Sequence, residues 1–202
     1  MTLNAVIWDL GGVLVRTEDY HPRQMLADRF GMTRLELEEL VYWGESGSMA
    51  QRGEIDSEQH WDNILRILSL KADELEGFKR EFWRGDVVDF ELINTIRAYK
   101  ANFKTGLLSN AFSDLRHVIT HIWNFADAFD EMVISAEVGL VKPDLRIYQL
   151  ALDRLGILAD QAIFIDDFIE NVEGAQRAGM QAVVFKNLDQ IRTELRRNLE
   201  EF

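Results

Sequence analysis

Asp9 interrupts an otherwise apolar run, Val6-Ile7-Trp8-Asp9-Leu10-Gly11-Gly12-Val13-Leu14-Val15, and two glycines follow it closely. A strand and a tight loop of this composition present a single carboxylate. Burying that charge among Val, Ile and Trp costs several kcal/mol of solvation unless a cation or hydrogen-bond donors meet it, so Asp9 needs partners from elsewhere in the chain. Two later segments offer them. Asp166-Asp167 closes the apolar run Ala162-Ile163-Phe164-Ile165, and Lys142 stands before Pro143 in Gly139-Leu140-Val141-Lys142-Pro143. Successive carboxylates repel each other, and a hard divalent cation with oxygen ligands turns that arrangement favourable. Proline is favoured at the first position of a helix, which would place the Lys142 ammonium at the positive end of a helix dipole, a position that calls for anions nearby. The three segments are therefore expected to converge on one charged site.

Short apolar runs rich in Val, Ile and Phe at 3–8, 103–108, 132–134, 162–165 and 181–185 suit strands buried on both faces. Helical spacing of apolar residues lies between most of them, at 90–99, 144–155 and 170–178, the last closing on Gly179 as a C-terminal cap. Alternation of this kind predicts an α/β fold, a Rossmann-like doubly wound parallel sheet with helices on both faces. Residues 16–86 break the rhythm. They offer helices at 21–30, 34–43, 57–68 and 72–83, with breaks at Gly31, 44–53 and 69–71, and no convincing strand between them. The expected organisation is an α/β core of 1–15 and 87–202 with a small all-helical cap domain, 16–86, over the carboxyl ends of the strands, where open α/β sheets keep their sites.

The order Asp9 after a first strand, Ser109-Asn110 after a second, Lys142-Pro143, then Asp166-Asp167 resembles the haloacid dehalogenase superfamily, and the likeness covers nearly the whole chain. The resemblance implies a nucleophilic Asp9, whose carboxylate attacks phosphorus or carbon to give a covalent intermediate. It implies magnesium held directly by Asp166, Asp9 and the backbone carbonyl of Gly11, with Asp167 a ligand through water or an acceptor behind the first ligands. Lys142 would balance Asp9 and a phosphoryl group. Ser109 and Asn110 would give a hydroxyl and backbone N–H donors to the oxygens of the transferring group. One departure stands out. Phosphatases of the superfamily usually carry a second aspartate two residues after the nucleophile, where it protonates the leaving alcohol; here that position is Gly11. The candidates to replace it from the cap are Glu18, Asp19, His21, Glu45, Arg52, Glu54 and His60, while Trp8, Tyr42 and Trp43 could line a pocket.

The 202 residues include 35 Asp and Glu against 22 Lys and Arg and no cysteine, for a formal charge of −13. A surface of that sign repels nucleic acid and anionic lipid, so any bound phosphate must be small and locally held. Disulfides and thiolate chemistry are excluded, and the apolar run around Asp9 lacks the basic leader of a secretory signal. The chain is expected to be cytoplasmic, with a small phosphorylated molecule as its partner, no nucleic acid and no membrane. Oligomeric state is open, with a monomer slightly favoured. The leading expectation is a magnesium-dependent phosphatase, the substrate a small metabolite such as a sugar phosphate. A 2-haloacid dehalogenase, for which Arg16 is a loose match to a family arginine, and a non-catalytic binding protein are the alternatives that Gly11 keeps open.

Overall fold

A computed structural model describes residues 3–199. The chain begins with β1 (Ala5–Trp8), a tight loop through Gly11 and Gly12, and β2 (Val15–Thr17). Helices follow: α1 (His21–Asp28), α2 (Arg34–Glu38) continued by a π-helical turn over Glu39–Trp43, α3 (Glu45–Gln51), α4 (Ser57–Ile67) and α5 (Leu75–Trp83). β3 (Asp86–Val88) then returns to pair antiparallel with β2. The remainder runs α6 (Phe90–Tyr99), β4 (Lys104–Ser109), α7 (Leu115–His117) with a π-helical turn over Val118–Ile122, β5 (Glu131–Ile134) and α8 (Ser135–Val138). It closes with α9 (Leu145–Leu155), β6 (Ala162–Asp166), α10 (Ile169–Arg177), β7 (Gln181–Val184) and α11 (Leu188–Leu199).

The main sheet is parallel throughout, in the order β5-β4-β1-β6-β7. From β1 the chain builds outward through β4 and β5, then returns to the other side for β6 and β7. The reversal falls between β1 and β6, and ligand sites in open α/β sheets lie at such a switch, beyond the carboxyl ends of the strands. Period-two alternation divides the apolar side chains between two cores. Val6, Trp8, Ile163 and Ile165 face α6 and α11, whereas Ala5, Ile7, Ala162 and Phe164 face α9 and α10. This is the doubly wound sheet that the strand and helix alternation predicts.

Helices α1 to α5 surround an apolar cluster of their own that includes Leu26, Leu37, Val41, Ile64, Phe78 and Phe82. Phe112, from the loop after β4, enters that cluster, its ring 4.6 Å from the His60 ring. The Ser57 backbone N–H donates to Ser113 Oγ at 3.1 Å beside it. Buried Arg23 in α1 ties the helices to the β2–β3 ribbon: its guanidinium reaches Glu38 at 2.9 Å, Asp86 at 2.8 Å and the Phe82 carbonyl at 3.1 Å. Arg34 bonds the second oxygen of Glu38, and Thr17 Oγ1 donates to Asp86 at 2.6 Å, so no charge of this group lies buried without a partner.

Three sequence expectations need correction here. The break placed at 44–53 contains helix α3. Gly47 lies inside that helix, and a Cβ there would stand 2.5 Å from the Val41 carbonyl, so the close approach of the preceding turn calls for glycine. The β2–β3 ribbon was not expected; three-residue strands of half-buried residues carry too little alternation to register. Pro143 does not open a helix. Asp144 caps α9, accepting from the Arg146 N–H at 2.9 Å.

His60 has no exposed surface. Burial, reinforced by the Lys79 charge, pulls its imidazole down to about 4. The unfolded chain binds a proton near pH 6.5 that the folded chain refuses, so stability rises with pH across roughly 4 to 6.5 and falls as pH drops through that window. We expect His60→Phe to flatten this dependence: the wild type should lose about 3 kcal/mol more than the variant between pH 7 and pH 4 in denaturant melts.

Candidate active site

Asp9 follows β1 directly and Asp166 ends β6. Trp8 pairs with Ile165 in the sheet, and the Asp9 N–H continues that ladder to the Ile165 carbonyl at 2.9 Å. The two carboxylates therefore stand side by side at the switch point, from segments more than 150 positions apart. Lys142 lies between them. Its Nζ is 2.7 Å from Asp9 Oδ1 and 2.6 Å from Asp166 Oδ2, and all three side chains are buried. Burial opposes the charge on Lys142, but the two carboxylates outweigh it and hold the ammonium above its ordinary range.

Donors converge on Asp166 as well. Its Oδ1 accepts the Phe168 N–H at 2.8 Å, and the Asn171 amide donates to both oxygens at 3.1 and 3.0 Å. Asn171 is the functional neighbour that sequence reasoning missed. Its position five residues after Asp166 on α10 was the available signal, and Tyr148 Oη fixes that turn through the Asn171 carbonyl at 2.8 Å. Asp167 is different. Its Oδ1 is buried with no hydrogen-bond partner, and it caps no helix. Burial, with the repulsion of Asp166 behind it, pushes the Asp167 carboxyl up to about 6. Burial likewise pushes Asp9 up to about 7, against the pull of Lys142 and with Asp166 repulsion acting in the same direction as burial. Oxygens of Asp9, Asp166 and Asp167 lie within 4.8 Å of one another. One ammonium faces three carboxylates, a deficit of positive charge that a divalent cation with oxygen ligands would fill.

The glycines show how this packing is reached. Gly12 has φ +74°, and a Cβ on it would stand 2.0 Å from Asp167 Oδ2, so Asp167 lies against bare backbone. Around Gly11 nothing lies within 4 Å of a built Cβ, and the residue is exposed. The missing side chain there is a chemical choice and not a steric one.

Asn110 is spent on structure: its Oδ1 accepts the Lys142 N–H at 2.8 Å and its Nδ2 donates to the Lys142 carbonyl at 3.0 Å, clamping the lysine loop. Ser109, buried at the end of β4, has a hydroxyl with no hydrogen-bond partner among the described residues. Trp8 does not line a pocket; it points to the opposite core, against α6. Tyr42 packs on Phe82 and Trp83, with ring centroids 5.6 and 5.7 Å away, and Trp43 packs on Tyr42. Among the described residues, none of Glu18, Asp19, His21, Glu45, Arg52, Glu54 and His60 bonds to the carboxylate group. Arg52 pairs with Glu54 at 2.6 Å, Asp19 accepts the His21 N–H at 2.9 Å, and His60 bonds Ser46 at 2.9 Å. Arg16 is committed to the Val13 carbonyl at 2.7 Å and to Asp89 at 2.8 Å.

A sequence model of the haloacid dehalogenase-like hydrolases matches residues 3–179. The chain belongs to this family. Among its relatives in the family, a sesquiterpene phosphatase of Aspergillus oryzae is 28% identical over 184 residues, covering 89% of this chain and 88% of the relative. A phosphatase of Mycobacterium tuberculosis is 29% identical over 218 residues, covering 98% and 94%. The fold matches that of a HAD family enzyme of Bacteroides thetaiotaomicron, solved with magnesium and inorganic phosphate. That match has a TM-score of 0.76 and 21% identity over 91% of this chain and 94% of the other. No helix among the described residues is long and apolar enough to cross a membrane.

The two glycines of this hydrolase are expected to respond differently to substitution. Gly12→Ala forces a Cβ into Asp167 at a positive φ and should cost about 1–3 kcal/mol, whereas Gly11→Ala should stay within about 0.5 kcal/mol of wild type. Equilibrium urea melts of the two variants measure the contrast.

Proposed function

We propose that this hydrolase is a magnesium-dependent phosphomonoesterase acting on a small phosphorylated metabolite of the cytosol through an aspartyl-phosphate at Asp9. The observation that carries the reading is Asp167 Oδ1, a buried carboxylate oxygen without a donor beside two further carboxylates. The phosphatases among its relatives and the phosphate-bound structural neighbour support it. Asp9, Asp166, Asp167 and the Gly11 carbonyl would hold the ion. Bound there, magnesium would screen the negative charge of the incoming phosphoryl group from that of Asp9.

The chain's own residues then have the following tasks. A carboxylate oxygen of Asp9 attacks phosphorus, and the bond to the leaving oxygen breaks with its electron pair remaining on that oxygen. Lys142 favours the ionised form of Asp9 against the effect of burial and orients it, and the hydroxyl of Ser109 donates to a phosphoryl oxygen. Asn110 contributes its backbone N–H and, through its side chain, the placement of Lys142. Water next attacks the phosphorus of the acyl phosphate, which releases inorganic phosphate and restores the Asp9 carboxylate. Gly11 supplies no acid, so the leaving oxygen takes its proton from solvent. Weakly basic leaving groups, such as the anomeric oxygen of a sugar phosphate, suffer least. Residues 16–86 serve as the cap over a core of 1–15 and 87–202, and select the substrate.

With magnesium present, a panel of sugar and nucleotide phosphates should include at least one that releases phosphate, and Asp9→Asn should abolish release while the far-ultraviolet spectrum is unchanged. Absence of release across the panel overturns the proposal, and halide release from a 2-halo acid in the presence of a chelator selects the dehalogenase reading instead. Gly11→Asp should accelerate esters with poor leaving groups by about a hundred- to ten-thousand-fold, the usual value of a positioned acid. If the wild type binds magnesium and phosphate without turnover and only Gly11→Asp releases product, the chain is a binding protein on this scaffold.

A further inference from the structure

The chain has four histidines. His21 stands at the start of α1 and His60 inside the helical cluster, but His117 and His121 face each other across one helical turn, with ring centroids 4.8 Å apart and planes tilted by 49°. Both are exposed, and neither ring makes a hydrogen bond or ion pair among the described residues.

The backbone beneath them is held firmly. Leu115 and Ile119, on the other side of the turn, are buried in the main core. Arg116 between them is fixed by Glu137 at 2.7 Å and by the Met132 carbonyl at 2.8 Å. The turn is widened, the Trp123 N–H reaching the Val118 carbonyl at 2.9 Å in an i to i+5 closure, a local feature frequent at functional sites. The two imidazoles are thus presented by an ordered support.

Their separation has chemical meaning. With a metal–nitrogen bond of about 2.1 Å, two imidazoles on one ion have centroids about 4.5 Å apart at a right angle and about 5.2 Å apart at the tetrahedral angle. The observed 4.8 Å lies between these limits. Two nitrogen donors without a carboxylate prefer zinc, nickel or copper to magnesium or calcium, and the formal charge of −13 draws cations to the surface. We propose that His117 and His121 form a two-imidazole chelating site for a divalent transition ion of this class, zinc foremost. It shares no ligand with the Asp9, Asp166 and Asp167 group, and water completes the coordination.

The test uses the full chain, metal-free and without an affinity tag, in millimolar Mg²⁺ so that the carboxylates face the hard ion, with Zn²⁺ titrated against a chromogenic chelator. One Zn²⁺ per chain is expected. His117→Gln and His121→Gln, both at exposed helical positions, should each weaken binding at least about tenfold, because a chelate becomes a single ligand. His21→Gln should leave it unchanged. Retention of the wild type on a Ni²⁺-loaded resin, lost in the same two variants, provides a second readout. Zinc binding that persists in both variants, that excess Mg²⁺ displaces, or that the wild type lacks overturns the proposal.

Discussion

The structure turns on one buried ammonium. Lys142 sits 2.7 Å from Asp9 and 2.6 Å from Asp166, and without it these two carboxylates at the ends of adjacent strands would face each other with no side-chain cation between them. The geometry needed for that contact constrains much of the chain. β1 and β6 must be neighbours in the stated register, the loop after α8 must reach across the sheet ends, and Asn110 must hold that loop by two backbone bonds. The Phe168 N–H and Asn171 then fix the orientation of Asp166. Even so, the positive charge falls short of the negative, since Asp167 lies beside the pair with an unpartnered oxygen. The same arrangement thus positions the strand ends and keeps a local preference for a further cation.

Much of this was legible in the sequence because burial on both faces leaves continuous apolar runs, and each of the five main strands follows such a run. The convergence of Asp9, Lys142 and Asp166 was legible for a related reason: an isolated charge at the end of such a strand needs a partner, and few segments could supply one. What escaped was decided by packing in three dimensions. Gly47 sits in a helix where a carbonyl leaves no room for a Cβ, Trp8 turns away from the site by strand alternation, and the Asn110 side chain holds the Lys142 backbone. His60 read as a polar candidate until the Phe112 and Trp61 rings enclosed it. The Phe112 ring and the Lys142 backbone lie far along the chain from His60 and Asn110, beyond the reach of any local pattern.

Membership of the haloacid dehalogenase-like hydrolases sets the departure at Gly11 in context. The charged group behind it is intact and the space in front of it is open, so the scaffold keeps Asp9, Lys142 and the acidic pair while omitting one side chain. Charge balance is built into the sheet ends, and under the proposed mechanism proton delivery is left to the solvent.

The β2–β3 ribbon carries a structural corollary. Val15 pairs with Val88 and Thr17 with Asp86, so the polypeptide departs from the core and rejoins it at almost the same point. An excursion of some seventy residues with its ends already clasped imposes little strain on the host. The clasp fixes where the segment leaves and returns whatever its length, so a longer or shorter helical segment between the same two strands would add little closure entropy.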